Sequence, residues 1–340
     1  MDTKRYFVSQ DLETIVTRWC DGQSWKAPEA VFFGKLRARL IEALKHAFRE
    51  PVEYDATRYR IEISPLKLDS LCAIRRDPND KSEFWIALDD IAVSSCDVHL
   101  EITRIYDCDA RKIGVGSRDR ARTLLQQVAE CQRKYSDYAR KIAKPKIVLA
   151  DDGAYEGASI IAVARMLQRQ GLPISTVKLG FATSKAVEAI INTLRPPEFS
   201  IATDLSVANI VGNDVVHVWV CERDFYLGVP RSGRTYGLPH DPDGAAPHEY
   251  PISFPYVEPF AVSRGGGSID IGKFSFGRSQ IEASIDLWNE IQRLNKTILY
   301  VSDAPRFPGP GLETEYEANK DKELISYIKA FASFAYAGIC

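Results

Sequence analysis

Between residues 8 and 50 apolar residues recur at helical spacing. Ser9 or Asp11 stands where a cap belongs, ahead of a short helix running to Trp19. Pro28 opens a second helix, with Val31, Leu36, Leu40, Leu44 and Phe48 along its apolar face, and Pro51 ends it. Between residues 57 and 117 the pattern becomes β-rich. Tyr59, Ile61 and Ile63 alternate with charged residues, as in a half-buried strand, and Phe84–Leu88 and Val98–Ile105 follow the same logic. Asp107-Cys108-Asp109 reads as a turn leading into Lys112–Gly116. Residues 119–141 read as a basic amphipathic helix with Leu124, Leu125, Val128 and Cys131 on its apolar face.

From Lys146 the pattern changes again. Ile147-Val148-Leu149-Ala150 is an unbroken apolar run, as expected of a strand buried on both faces of a parallel sheet. A helix over Ser159–Gln170 ends at Gly171. Val177–Phe181 is a second strand, Ser184 caps a helix running to Leu194, and Val215–Val220 is a third strand. This alternation predicts βαβ units and an α/β fold with a parallel sheet flanked by helices. Pro230–Gly267 is rich in Pro and Gly and too long for a simple connection. Residues 278–296 form a helix through Ile281, Ile285, Trp288 and Ile291, and Glu313–Tyr336 closes the chain as a last helical element. No internal repeat is present.

Composition narrows the class. Hydrophobic residues make up 45% and charged residues 26% of the chain, ordinary for a globular protein, and the formal net charge is −2. Such a charge supplies no general basic field for nucleic acid, which is not expected as a partner, and leaves only a local basic patch open. The 7 cysteines include no C-x-x-C pair, so reduced thiols are expected rather than a disulfide framework or a zinc site. The 5 histidines show no metal-binding spacing. Met1–Tyr6 has no apolar signal-peptide core, and no apolar run reaches the roughly 18 residues of a membrane span. The expectation is a cytoplasmic protein with no membrane partner.

The chemistry concentrates at Asp151-Asp152-Gly153-Ala154-Tyr155-Glu156-Gly157-Ala158-Ser159. A strand ending in two carboxylates, then a loop of small residues, then a helix belongs at the carboxyl edge of an α/β sheet, where ligands bind. The loop from Ala154 to Ser159 presents backbone N–H groups at a helix N-terminus, a cradle for phosphate. Gly157 permits close approach and Ser159 adds a hydroxyl. Asp151 and Asp152 at the lip suit the 2- and 3-hydroxyls of a sugar. Phosphate on the amides and a diol on the carboxylates together describe a ribose 5-phosphate. The same residues also fit a solvated acid pair followed by a plain helix cap.

Ile147 to Ser159 resembles the phosphoribosyl-diphosphate (PRPP) motif of type I phosphoribosyltransferases, in which apolar residues precede two acids and a loop of small and hydroxyl residues. The chain departs from that motif at Gly153, where the family has an apolar residue, and at Glu156, where it usually has Thr or Ser. A glutamate facing the loop would repel phosphate by roughly 1–4 kcal/mol; one facing outward would leave only its N–H in the cradle.

Trp219-Val220-Cys221-Glu222-Arg223-Asp224-Phe225 looks like the base-recognition segment of the hypoxanthine-guanine branch of that superfamily. The resemblance implies a base stacked on Trp219, an edge contact from Asp224, and Phe225 alongside. A core tryptophan and a turn aspartate fit the same residues. Arg118, in the glycine-rich stretch Ile113–Arg118 near the expected flap, and Arg231, in Arg231-Ser232-Gly233-Arg234, are the candidates for diphosphate, with Arg75-Arg76 another option. Each also reads as a surface turn. Arg264-Gly265-Gly266-Gly267-Ser268 is a loop without a complete phosphate motif.

The resemblance organises the chain as a helical N-terminal extension (1–55), an α/β domain (56–300) with a β-rich part (56–118) and a hood-like segment (215–275), and a helical tail (301–340). It implies Mg²⁺ held mainly by diphosphate and sugar hydroxyls beside Asp151 and Asp152. It also implies a nucleobase-like acceptor and, from the habit of the family, a homodimer. Residues 1–118 exceed what a minimal transferase needs and offer a surface for a protein partner. Three functions fit: phosphoribosyl transfer to or from a base-like acceptor; a module that senses PRPP or a nucleotide without turnover; and, by analogy with bacterial conflict systems, a hydrolase of a nucleotide glycosidic bond.

Overall fold

The computed structural model describes residues 2–49, 59–66, 74–89, 91–93, 95–106, 112–118, 121–201, 219–229, 234–237, 249–252, 274–304 and 317–337. Along the chain come β1 (Asp2–Ser9), α1 (Leu12–Gly22), α2 (Ala30–Arg49), β2 (Tyr59–Leu66), β3 (Glu83–Ala87), β4 (Val98–His99), β5 (Ile102–Tyr106) and β6 (Lys112–Ser117). Then follow α3 (Leu124–Ala139), β7 (Lys146–Ala154), α4 (Ala158–Arg169), β8 (Thr176–Ala182), α5 (Ser184–Leu194) and β9 (Glu198–Ile201). β10 (Trp219–Cys221), β11 (Arg234–Gly237), β12 (Glu249–Ile252), α6 (Phe274–Asn295) and α7 (Leu324–Ala337) complete the order. The result is an α/β protein whose chain folds as two compact units. One comprises Met1–Leu66, Tyr106–Arg111 and Val218–Cys340; the other comprises Lys67–Ile105 and Lys112–His217.

The first unit holds a parallel sheet in the order β10-β1-β2, with Phe7 opposite Trp219 and Tyr6 opposite Ile63. A strand therefore precedes the expected N-terminal helices. On α1 the buried residues Leu12, Ile15, Val16 and Cys20 follow the helical period. On α2 the buried stripe is Phe33, Leu36, Leu40 and Leu44, and Val31, expected on that face, is 69% exposed. Two residues before Phe33, it lies about 200° round the helix. In α6 Leu287, Trp288 and Ile291 are buried, and the Trp288 indole N–H donates to the Leu227 carbonyl at 2.8 Å. β11 and β12 pair antiparallel within the Pro- and Gly-rich stretch.

A buried set of charges ties the beginning of this unit to its middle. Asp11 stands at the N-cap position of α1 yet makes no side-chain bond to its own helix. Its carboxylate accepts instead from the Arg223 backbone N–H at 3.0 Å and pairs with the Arg223 guanidinium at 3.0 Å. Glu222 reciprocates: it accepts from the Leu12 N–H at the start of α1 and pairs with Arg37 at 3.2 Å. Burial pushes the Glu222 carboxyl up to about 8, against the pull of Arg37.

The second unit is built on a five-stranded, wholly parallel sheet in the order β4-β3-β7-β8-β9. Every residue of β3 is buried, so Phe84–Ala87 is a two-sided core strand and not the half-buried one expected. The run Val98–Ile105 divides into β4 and β5, broken at Leu100-Glu101. Leu124, Val128 and Cys131 of α3 join a core with Leu149 of β7, Val163 and Leu167 of α4, and Ile190 of α5. Leu125, one step round α3 from Leu124, is 71% exposed. Thr123 caps α3 in a reciprocal capping box with Gln126. The cap of α5 is Thr183, whose hydroxyl accepts from the Ala186 N–H, and not Ser184. The strand after α5 in this sheet is β9, which the hydrophobic pattern does not announce. The strand expected at Val215–Val220 is described only from Trp219, and it pairs with β1 in the other unit.

Candidate functional site

Numbered by appearance within the second unit, the sheet order is 2-1-3-4-5. In parallel sheets with this strand order the chain leaves the first strand toward one edge and later strands build toward the other, and ligands bind beyond the carboxyl ends at this switch point, between the first and third strands. Here those strands are β3 and β7. β3 leads into Leu88-Asp89, and β7 carries Asp151 and Asp152 in its final turn of pleat. Three carboxylates therefore stand at the one edge of the sheet where the topology opens a crevice.

The segment after the acid pair departs from a free loop. Pairing of β7 with β8 continues past the acids, with Gly153 opposite Phe181 and Ala154 opposite Ala182. α4 begins at Ala158, leaving only the bend Tyr155-Glu156-Gly157 between strand and helix. Gly157 has φ +71°, and a Cβ there would meet Ile190 Cγ1 at 2.9 Å and the Ala186 carbonyl at 3.2 Å. Conformation and packing both demand glycine. The first N–H groups of α4 have no intrahelical acceptors and lie beyond the strand ends, as an anion cradle requires.

Gly153 and Glu156 each face a definite neighbour. A Cβ on Gly153 would lie 1.8 Å from the Phe181 ring, so the aromatic side chain on β8 occupies the space an apolar residue on β7 would take. Glu156 is exposed and pairs with Lys185 Nζ at 2.8 Å, so its charge is answered by a cation on α5.

The acids differ from surface carboxylates. Asp151 is pushed well above the usual aspartate range, first by burial, then by the charges of Asp152 and Asp89. The Asp152 backbone N–H, donated to Asp151 Oδ1 at 3.0 Å, and the charge of Arg118 act in the opposite direction. Asp89 is 2% exposed and accepts from the Ile91 and Ala92 backbone N–H groups at 2.8 and 2.7 Å. Arg118 is held by its own N–H to the Glu101 carbonyl and by Nε to the Ile102 carbonyl at 2.9 Å. The stretch Lys112–Ser117 before it is strand β6.

Sequence reasoning missed Asp89, although Leu88-Asp89-Asp90 repeats the sign that marked Ala150-Asp151-Asp152: an apolar run ending in two acids. Reading Phe84–Leu88 as half-buried hid the repetition. Of the other candidates, Arg76 spends its guanidinium on Asp97, the Glu83 carbonyl and the Tyr138 hydroxyl, near the start of β3 and away from the crevice. Trp219, Asp224 and Phe225 belong to the first unit. Phe225 is wholly buried, edge-on to Phe276 at 5.7 Å, and Asp224 lies 3.9 Å from Arg223 Nε. Arg231, Asp107–Asp109 and Arg264–Ser268 fall outside the described residues.

Among the described residues no group of three or more His, Cys, Asp or Glu has metal-holding geometry. Adjacent carboxylates still fit a Mg²⁺ that takes one or two protein ligands and completes its shell with substrate phosphates and water. Among these residues no helix is long and apolar enough to cross a membrane. Comparison with protein-family models, with curated proteins and with solved structures finds no match.

Proposed function

We propose that the crevice at the carboxyl ends of β3 and β7 binds a ribose 5-phosphate, as PRPP or a nucleotide, and supports phosphoribosyl transfer to or from a nucleobase-like acceptor. The observation that carries this reading is the joint placement, at one switch point, of a half-buried acid pair and a glycine bend leading into a helix N-terminus. The diol of the sugar hydrogen-bonds to Asp151 and Asp152, and the 5-phosphate accepts from amides at the start of α4 with the Ser159 hydroxyl. Arg118, beside Asp151, stabilises charge on the diphosphate, and Asp152 handles the proton of the leaving or attacking nitrogen. Asp151 and Asp152 would hold Mg²⁺ carried in with the diphosphate, which offsets negative charge on the leaving group. The Phe225 ring is spent in the core of the first unit.

A second reading is a sensor that binds without turnover. The brevity of the bend favours it, since three residues, one of them Glu156, offer fewer amides than a longer loop.

The test is the shift in melting temperature with Mg²⁺ plus PRPP, and separately with purine and pyrimidine nucleoside monophosphates. A ligand at about 100 times its dissociation constant adds about 2.7 kcal/mol. A shift with PRPP that Asp151→Asn and Asp152→Asn both abolish supports the crevice, and diphosphate release then separates transferase from sensor. An unchanged shift in both variants refutes the ribose contacts.

A further inference from the structure

The β8–α5 junction follows the phosphate bend residue by residue. The Phe181 ring lies over Gly153 and meets the Tyr155 ring edge-on, centroids 5.0 Å apart. The Thr183 backbone N–H donates to the Ala154 carbonyl at 3.0 Å, and the Thr183 hydroxyl donates to the Tyr155 carbonyl. Lys185 pairs with Glu156, and Ala186 and Ile190 close over Gly157. Each residue from Gly153 to Gly157 thus has its partner between Phe181 and Ile190.

Thr183 is the pivot. It is 2% exposed, and its hydroxyl works in two directions: it donates to Tyr155 in the bend and accepts from the Ala186 N–H at 3.0 Å in the first turn of α5. A hydroxyl can do both; a methyl can do neither. A three-residue turn holding one non-helical glycine has little intrinsic preference for a single shape, so its amides converge only if something outside the turn sets them.

We propose that Thr183 is a positioning residue that sets the cradle of the phosphoribosyl site, a role that rests on the reading of that site given above. It touches no ligand; it fixes the Tyr155 peptide and through it the direction of the amides from Glu156 to Ser159.

The full chain carrying Thr183→Val, nearly isosteric, is compared with Thr183→Ser, which keeps the hydroxyl. Titration calorimetry with PRPP and Mg²⁺ is expected to show affinity lowered at least tenfold by valine and within about threefold of wild type for serine. Amide hydrogen exchange is expected to speed up at residues 155–159 in the valine variant alone. Thr183→Ala reads the same bonds should valine fail to fold. Valine that binds like wild type, or serine as weak as valine, overturns the role. A wild type that binds no PRPP refutes the phosphoribosyl reading instead, and the exchange rates then decide alone whether Thr183 sets the bend: rates equal in wild type and valine overturn it, faster rates in valine uphold it.

Discussion

The Asp11 carboxylate accepts the Arg223 backbone N–H at 3.0 Å across 212 residues of chain, with Asp11 wholly buried and the Arg223 side chain nearly so. Breaking a buried charge pair by removing one partner strands the other, at a cost of about 3–5 kcal/mol. Asp11→Ala is expected to lower stability by that amount in urea unfolding. Arg39→Ala, which removes the half-exposed pairs to Glu282 and Asp286, is expected to cost less than about 1 kcal/mol. Equal losses in the two variants would show that Asp11 and Arg223 are solvated in solution.

Asp151 is predicted to trade stability for binding. Its carboxyl is raised well above the aspartate range by burial and by Asp152 and Asp89. The folded protein therefore holds a proton that the unfolded chain has released once pH exceeds the usual aspartate value. The stability from this proton is fully present below that value and is lost as pH rises through the raised one. Asp151→Asn, measured without divalent cation, is expected to melt higher than wild type at pH 8 and to show a flatter pH profile, while losing PRPP binding. A lower melting temperature at pH 8 would refute the buried-charge account.

Gly153→Ala places a methyl on the Phe181 ring. The expected loss is about 1–3 kcal/mol, the range for overpacking a tight site, with most of it recovered in the double variant Gly153→Ala, Phe181→Leu. Additive losses in the double variant would mean that the two residues do not meet.

Glu156 and Lys185 form a double-mutant cycle on the cradle. Glu156→Thr leaves the lysine charge unopposed beside the phosphate and is expected to tighten phosphate binding about two- to fivefold at low salt, an effect that screening reduces at high salt. Lys185→Ala is expected to weaken binding by a similar factor, and the double variant to return near wild type. Affinity indifferent to all three would place the pair outside the field of the ligand.

Local patterning carried much of this fold. Ile147–Ala150, Val177–Phe181 and the helices between and after them were legible because a two-sided strand and an amphipathic helix each leave a strong local sign. The acid pair and Gly157 were legible for the same reason. What local patterning misses is partnership. β1 pairs with β2 and with β10, the latter contributing three residues, and no local period announces such a strand. Glu198–Ile201 is a short edge strand with Phe199 and Ile201 as its only apolar residues. The need for glycine at 153 comes from Phe181 on the neighbouring strand, which no local pattern shows. Thr183 and Ser184 are equally good caps on paper, and only the Tyr155 carbonyl and the Ala186 N–H decide between them.

The pairing of β1 with β10 bears on how the chain emerges during synthesis. β2 covers one side of β1 once residue 66 has appeared, but the other side has no partner until residue 221. At about 5–20 residues per second that side waits on the order of 10–40 s. In the interval nearly all of Lys67–His217, the unit with the acid pair, has been made and can fold on its own sheet. The half with the acid pair is thus expected to be finished while the half that carries β1 and β10 is still waiting to close.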